Sequence, residues 1–334
     1  MMNYQNIISK FNSDLQEALR TVPSLKEQDG FILRVKEKKI YLVIQENRTN
    51  ESKEYMLQKG ITALEINMSL GYTRLEVDFL SDFNFIDTLN IVHQPLGDVK
   101  AINSLHKLRS LSLDAYFYSE VDFNNFPQLE ECLMHWTSNA KNLFNCKMLK
   151  ALYLRSYKKD DLSELEKLRL LEKLSISNSP IKNLRGISNL KNLKEIELGL
   201  LTKLTLIDGI ESLPLLEKLI IQSCKKIPFE KIWQLKNLKK LYLSDVGDIS
   251  TIKQIDNLKN IEEIDIIGMS KIVDGDSSPL LNLPKLRNVR LAHLSHYRPT
   301  SLEIEAKVEG KDLKTLLQKY NHMRLYRKML KGMV

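Results

Sequence analysis

The sequence is short of the features that mark secreted, membrane-spanning or disulfide-stabilised proteins. It holds only three cysteines in 334 residues, and an odd number without a leader is typical of a reducing compartment. No apolar run reaches the roughly 18 to 20 residues that span a bilayer. The first residues, MMNYQNIISKFNSDLQEAL, lack an uninterrupted apolar stretch after a basic one. These absences predict a cytoplasmic protein, with export by a route that needs no cleaved signal as the alternative.

The sequence also lacks the motifs that carry catalysis or bind cofactors. None of the patterns G-x-x-x-x-G-K-[ST], G-x-G-x-x-G, H-E-x-x-H and G-x-S-x-G occurs. His293 and His296 stand close together, but two histidines without a further ligand do not make a metal site. Glu195 and Glu197 form a pair on an open surface, without the apolar pocket that a catalytic carboxylate pair requires. We therefore predict no enzyme activity, no cofactor and no metal.

What the sequence does contain is a repeated leucine frame. From Leu108 to Leu291 the pattern L-x-x-L-x-L returns about every 22 residues, and a further copy begins at Ile86. Apolar residues at intervals of three follow between the frames, which suits short 3₁₀ turns. Alternate residues of a strand face opposite sides, so the frame residues are predicted to form one core between stacked coils. The three cysteines fall on inward positions of this frame and are expected to be buried: Cys132, Cys146 and Cys224.

The stretch IKNLRGISNLKNLKEIEL, residues 181–198, resembles the internalin-type leucine-rich repeats of bacteria, here without a signal peptide. The resemblance covers about residues 86–294. It implies an α/β fold, a curved leucine-rich-repeat solenoid with a parallel sheet on the concave side and short 3₁₀ or α turns on the convex side. The sequence departs from the family at the ninth repeat position, where Asn is usual and where Tyr116, Tyr157 and Leu201 are examples here. We expect the turns to be held less regularly than in the family.

The two ends of the chain are predicted to cap the solenoid, because uncapped end coils would expose an apolar cross-section. Residues 1–60 are predicted to form a helix, with apolar positions between Tyr4 and Leu19, and a β-hairpin over 31–44. Residues 61–85 are predicted to form two shortened cap strands, and residues 86–300 the repeats. Residues 301–334 are predicted to form a last strand over 301–308 and a basic amphipathic helix from Asp312. This end holds much of the net charge of +8.

The concave face is the predicted binding surface, since its side chains have no place in the core. Leu133, Trp136 and Tyr153 come from adjacent coils and are expected to act as anchors, because Tyr and Trp are common among energetic hot spots. Acidic positions interrupted by lysines favour a protein partner over a phosphate backbone. The predicted partner-binding residues are Leu133, His135, Trp136, Tyr153, Arg155, Glu195, Glu197, Ile220, Tyr242, Glu263 and Asp265.

Together these observations predict a monomeric, non-catalytic protein–protein interaction module. The resemblance implies two roles for such a protein, a toxin-immunity protein or a translocated effector, and the sequence does not choose between them. One alternative is the substrate-recognition part of an enzyme. The other is binding of an anionic membrane or nucleic acid by the basic C-terminal helix. The apolar stripe of that helix lacks Trp and Phe, which makes a membrane the weaker ligand, and the mixed charge of the concave face does not favour a phosphate backbone.

Overall fold

A computed structural model of the protein describes residues 22–93 and 95–321. The chain divides into two compact units, residues 1–155 and 156–334. The helix predicted between Tyr4 and Leu19 lies outside the described residues, as does the part of the basic C-terminal segment beyond residue 321. Among the described residues, no helix is both long and apolar enough to cross a membrane.

The first unit begins with a β-hairpin, as predicted. Lys36 and Lys39 are paired at its tip, and Glu37 and Lys38 between them have φ angles of 50° and 69°, the left-handed pair that a type I′ turn requires. The elements of the unit are β1 (Leu25–Gln28), β2 (Phe31–Lys36), β3 (Lys39–Val43), α1 (Thr49–Lys59), β4 (Ala63–Asn67), β5 (Thr88–Val92), β6 (Ser110–Asp114), β7 (Val121–Asp122), β8 (Glu131–His135), β9 (Ala140–Lys141) and β10 (Ala151–Arg155).

One sheet carries most of these strands, in the order β1-β2-β3-β4-β5-β6-β8-β10. Pairing is antiparallel through β1, β2 and β3 and parallel from β3 onward. β7 and β9 form a separate parallel pair. The burial largely alternates along the repeat strands, as in β6, where Leu111 and Leu113 are fully buried beside half-buried Ser110 and Ser112. The sheet therefore has a core face and a face turned away from the core, which we call the open face.

The N-terminal cap differs from the prediction in one strand and one helix. Of the two strands predicted within 61–85, only β4 forms. Residues 72–77 form a loop instead, in which the buried Tyr72 donates a hydrogen bond from its hydroxyl to the carbonyl of Glu76 at 2.6 Å. A loop closed in this way between Tyr72 and Glu76 leaves no extended segment to pair with β4. The helix α1, which follows the hairpin, was not predicted at all.

The second unit consists of parallel coils up to its C-terminal helices. Its elements are β11 (Lys173–Ser177), β12 (Glu195–Gly199), β13 (Lys218–Gln222), β14 (Lys240–Ser244), β15 (Asp248–Ile249), β16 (Glu263–Ile267), β17 (Lys271–Ile272), β18 (Asn288–Leu291) and α2 (Ser301–Glu309), followed by helical residues 313–321. β11, β12, β13, β14, β16 and β18 pair in register in that order, and β15 pairs with β17. Their frame residues are almost entirely buried, which confirms the predicted repeat.

Short 3₁₀ turns connect the strands, and local side-chain hydrogen bonds start several of them. The Asp161 carboxylate accepts from the backbone N–H of Ser163 at 3.0 Å and from its hydroxyl at 2.6 Å, an arrangement in which a side chain takes the place of a backbone turn. The 3₁₀ turns span Met68–Leu70, Asp78–Phe83, Lys100–Ser104, Phe123–Asn125, Leu143–Asn145, Ser163–Lys167, Ile187–Asn189, Ile210–Ser212, Phe229–Gln234, Lys253–Asn257 and Ser278–Asn282.

Asparagines do link adjacent coils, but not at the position where the family carries them. Asn192, Asn237 and Asn260 each precede the first frame residue of their coil. Each donates from its side-chain amide to a carbonyl of the preceding coil, at 2.8, 2.8 and 3.0 Å. At the ninth position itself, Ser179 donates to the carbonyl of Tyr157. Backbone groups of the turns are thus satisfied by side chains of several kinds.

In each coil the residue directly after the first frame residue is charged, and the sign of this charge alternates from coil to coil. The row reads Asp87, Arg109, Glu130, Lys150, Glu172, Lys194, Glu217, Lys239, Glu262 and Arg287. Lys150 lies 2.7 Å from Glu130, which also pairs with Arg109. In the second unit the ammonium of Lys194 lies 2.7 Å from the carboxylate of Glu172, and that of Lys239 lies 2.8 Å from the carboxylate of Glu217. We call this row the charge ladder.

The strand predicted over 301–308 is a helix, α2. Thr300 and Glu303 form a capping box, in which the Thr300 hydroxyl accepts from the backbone N–H of Glu303 and the Glu303 carboxylate accepts from that of Thr300. The alternation of Leu302 and Ile304 had indicated a strand, but the capping box fixes a helical start. The Glu309 carboxylate at the end of α2 accepts from the backbone N–H of Val289 at 3.1 Å, so the helix covers the last strand, β18.

Candidate protein-binding surface

The open face of the first unit carries Leu133 at the centre of an aligned row. Asn90, Ser112, Leu133 and Tyr153 are successive register partners on β5, β6, β8 and β10. Leu133 is 38% exposed, because the serine on one side is too small to cover it. Tyr153 on the other side is half-buried. Of the predicted anchors, the structure therefore brings Leu133 and Tyr153 together as direct neighbours.

A second row lies at the C-terminal ends of the same strands and surrounds His135. Its Nε2 atom lies 3.1 Å from Asp114 Oδ1 and 3.3 Å from Arg155 Nη1. The ring of Tyr116 lies over the imidazole, with 4.9 Å between ring centroids. His135 was expected to be exposed and is only 7% exposed, since longer neighbouring side chains cover it. Arg155 and Tyr116, which is 59% exposed, form the outer layer of this row.

Trp136 lies beside this surface rather than on it. Its backbone N–H donates to the carbonyl of Arg155 at 2.8 Å, which extends the strand pairing by one residue. Its indole ring stacks on Phe144 of the following turn, with centroids 5.6 Å apart and an interplanar angle of 17°. Trp136 is therefore half-buried and takes part in packing. Tyr116, Leu133, Tyr153 and Arg155 are the outer residues of the surface, and we call them the Leu133 patch.

A cleft borders the Leu133 patch on the side of the hairpin. Its floor consists of the small side chains of β5 and β6, and one wall is formed by Leu133 and Glu131 of β8. The opposite wall is Tyr41 of β3, and the hairpin tip at Lys36 and Glu37 also lines the cleft. The residues around it are Lys36, Glu37, Tyr41, Thr88, Leu89, Asn90, Ser110, Leu111, Ser112, Glu131 and Leu133.

Carboxylates outnumber ammonium groups in the lining of this cleft, with Glu131 and Glu37 against Lys36. Burial raises the pKa of the Tyr41 phenol, and the carboxylates of Glu131 and Glu37 raise it further. A phenolate is disfavoured both by burial and by nearby negative charge, so the two carboxylates act on Tyr41 in the same direction as burial. The same surroundings would favour a cation.

The predicted residues of the second unit are occupied by contacts within the sheet. Glu263 accepts a hydrogen bond from the Tyr242 hydroxyl at 2.5 Å and lies 2.9 Å from the Lys240 ammonium. These contacts hold the pKa of Glu263 below its ordinary value, and burial together with Glu263 raises that of Tyr242. Asp265 was expected to be exposed and is only 4% exposed, because the Arg290 guanidinium pairs with it.

The remaining predicted residues of the second unit lie on β12 and β13. Glu195 pairs with Lys218 at 2.6 Å. Glu197 and Ile220 are register partners on the open face, both half-buried. A carboxylate beside an isoleucine gives this part of the face a weaker apolar character than the Leu133 patch.

The cysteines are free thiols and are buried, as predicted. Burial raises the pKa of Cys146 to about 12 and also raises those of Cys132 and Cys224. Such thiols are poor nucleophiles. Within residues 22–93 and 95–321, no group of three or more His, Cys, Asp or Glu side chains could hold a metal ion.

Neither a protein-family model nor a curated protein matches the chain, but solved structures do. Internalin InlF of Listeria monocytogenes strain 4b F2365 is 18% identical over 90% of this chain and 94% of that one, with a TM-score of 0.58. The chain has the leucine-rich-repeat fold. The leucine-rich-repeat domain of the type III effector XopL is also 18% identical, over 90% of this chain and 98% of that one, with a TM-score of 0.43. The leucine-rich-repeat protein LIC12759 of Leptospira interrogans is 18% identical over 73% of this chain and 80% of that one, with a TM-score of 0.41. At these identities the likeness concerns the fold.

Two surface residues were missed by the repeat-based prediction. Tyr116 occupies the ninth leucine-rich-repeat position, and its unusual side chain there was the signal that could have identified it. Tyr41 belongs to the hairpin, outside the leucine-rich repeats, and only the parallel pairing of β3 with β4 brings it beside the repeat strands.

Proposed function

We propose that this chain is a protein-binding module whose partner contacts the Leu133 patch on the open face of the first unit. The observation that supports this most directly is the exposure of Leu133, which lies on the open face between the small Ser112 and the half-buried Tyr153, together with the exposure of Tyr116 just past the end of β6. Apolar and aromatic groups gathered on one rigid surface are typical of binding sites. No residue of this surface is needed for the core, so its composition is open to selection for a partner.

The proposal narrows the set predicted from the sequence. Leu133, Tyr153 and Arg155 keep their predicted role, and Tyr116 joins them. His135 supports the patch from below through Tyr116 and Arg155. In the second unit, Tyr242 is engaged with Glu263 and Asp265 with Arg290, so these residues contribute to a partner surface only through the outer atoms of their pairs.

Photo-crosslinking from position 133 tests the proposal. A photoreactive amino acid replaces Leu133 in the full chain, and covalent products formed in the native cell are identified by mass spectrometry. The control replaces Met148, which is 42% exposed in the turn before β10 and lies off the open face. We expect one partner to be crosslinked at 133 and not at 148.

The identified partner then permits a quantitative test. Leu133→Asp should weaken its binding about thirtyfold or more, the usual consequence of losing a hot spot, while Met148→Asp should leave it unchanged. Equal binding by both variants, with unchanged circular dichroism, would rule out the Leu133 patch. The identity of the partner also tests the finer proposal, since a toxin indicates an immunity protein and a host protein indicates an effector.

A further inference from the structure

The cleft beside the Leu133 patch has the shape of a receptor for one side chain. Its floor is low because Asn90, Ser110 and Ser112 are short, whereas Tyr41 and Leu133 rise on either side. The floor is fixed by the register of β5 and β6, and the Tyr41 wall by the parallel pairing of β3 with β4. The cleft is thus built into the sheet.

The charges around the cleft favour a cation. Two basic groups of the hairpin are paired with carboxylates outside the lining. The Arg34 guanidinium lies 2.8 Å from Glu65, and the Lys39 ammonium lies 2.6 Å from Asp87 and also donates to the Thr88 hydroxyl at the edge of the cleft. In the described part of the chain, no basic side chain forms an ion pair with the lining carboxylates, Glu131 and Glu37. The Ser110 hydroxyl donates to Glu131 at 3.3 Å. Lys36 supplies the single ammonium of the lining, against two carboxylates.

The polar atoms of the cleft also suit such a ligand. A lysine ammonium has three donors and an arginine guanidinium has five, and neither has an acceptor. Carboxylate, amide and hydroxyl oxygens of Glu131, Asn90 and Ser112 are available acceptors, while the aliphatic stem of the ligand can lie along Leu133. An acidic side chain would meet the same carboxylates with a like charge.

We propose that the cleft takes a lysine or arginine side chain of the protein partner, while adjacent apolar residues of that partner contact the Leu133 patch. This inference rests on the proposed function and specifies the chemistry of its ligand. Glu131 is the residue that determines the choice of a basic side chain, because it borders both the cleft and the patch.

Selection of peptides tests the inference even while the partner is unidentified. Random dodecapeptides displayed on phage are selected on the full chain and then screened against Leu133→Asp, so that peptides bound at the patch are recognised by their loss. We expect these peptides to carry Lys or Arg beside an apolar residue. Glu131→Gln should weaken them about ten- to hundredfold, as expected for a lost charge-assisted hydrogen bond, and added salt should weaken them on the unchanged chain.

Glu120→Gln is the matched control, because it neutralises an exposed carboxylate in the turn before β7 of the same unit and should leave binding unchanged. Patch-dependent peptides that lack a basic residue, or that bind Glu131→Gln equally well, would overturn the cleft assignment and leave the proposed function standing. Selection of no patch-dependent peptide would overturn both. Self-association of the full chain that disappears in Glu131→Gln would assign the cleft to a second copy and overturn the choice of ligand.

Discussion

The hydroxyl of Tyr242 donates a hydrogen bond to the carboxylate of Glu263 on the adjacent repeat strand, with 2.5 Å between Oη and Oε2. The sequence placed both residues on the face expected to bind a partner, as two separate contact groups. In the structure they form one unit with Lys240, whose ammonium neutralises the same carboxylate. Outward position therefore does not by itself mean availability, because side chains on parallel strands about 4.8 Å apart can satisfy one another.

Tyr242→Phe should lower the free energy of unfolding by about 1 to 2 kcal/mol, because a hydrogen bond to a charged group is lost from a half-buried site. Lys240 should keep Glu263 in place. Urea unfolding followed by circular dichroism measures the change. Tyr118→Phe is the control, since Tyr118 is 72% exposed; equal stability of both variants would show that the Tyr242 hydrogen bond contributes nothing.

The three cysteines should react slowly with thiol reagents in the native protein. Raising the pKa of Cys146 to about 12 leaves roughly one thiolate in ten thousand at pH 8, and only the thiolate attacks. Denaturant should restore rapid labelling of Cys132, Cys146 and Cys224 together. Fast labelling of any one in the folded protein, located by mass spectrometry, would contradict the burial of its coil.

Reversing one charge of the ladder should destabilise the protein more than removing it. Arg109 and Lys150 both hold the pKa of Glu130 below its usual value through hydrogen bonds and ion pairs. Glu130→Gln removes two exposed pairs, each worth about 0.2 to 1 kcal/mol. Glu130→Lys loses the same two pairs and also places three cations side by side, so its cost should be larger. Thermal unfolding at low salt should rank the two variants in that order, and added salt should narrow the gap. The reverse ranking would mean that the ladder does not act electrostatically.

Asp161 should contribute to stability in a pH-dependent way. The hydroxyl and backbone N–H of Ser163 lower its pKa in the folded state, below the value of about 3.9 expected in the unfolded chain. Its contribution is therefore fully present above that unfolded value and is lost as the pH falls through the folded one. Asp161→Asn should be less stable than the native protein at pH 7, and urea unfolding should show a smaller difference at pH 3, below the unfolded pKa, than at pH 7. A constant difference at both pH values would contradict this account.

The repeats could be predicted from the sequence because their signal is local and is repeated. Each L-x-x-L-x-L frame fixes one strand, and Leu111, Leu174 and Leu241 all occupy the core position assigned to them. Burial of Cys132 and Cys224 followed from the same register alone. Because the same frame recurs in every coil, a strand that is ambiguous in one coil can be placed from the frames of the adjacent coils.

The caps and the binding surface were less predictable for physical reasons. Residues 301–308 alternate like a strand, and only the Thr300 and Glu303 capping box, a pair of local hydrogen bonds, determines the helix. His135 and Asp265 occupy outward positions, but their burial depends on the length and charge of Tyr116 and Arg290, which belong to other coils. Whether one side chain buries another across adjacent coils depends on both residues of the pair. The repeat pattern, which assigns positions one coil at a time, does not contain that information.

The charge ladder also constrains how a chain of this kind can change its length. Because the sign alternates at every step from Asp87 to Arg287, removing one coil brings two like charges together at the new junction, and so does duplicating one coil. Removing or duplicating two consecutive coils leaves the alternation intact. The smallest insertion or deletion that preserves the alternating charges is therefore a pair of coils, about 44 residues given a repeat of roughly 22.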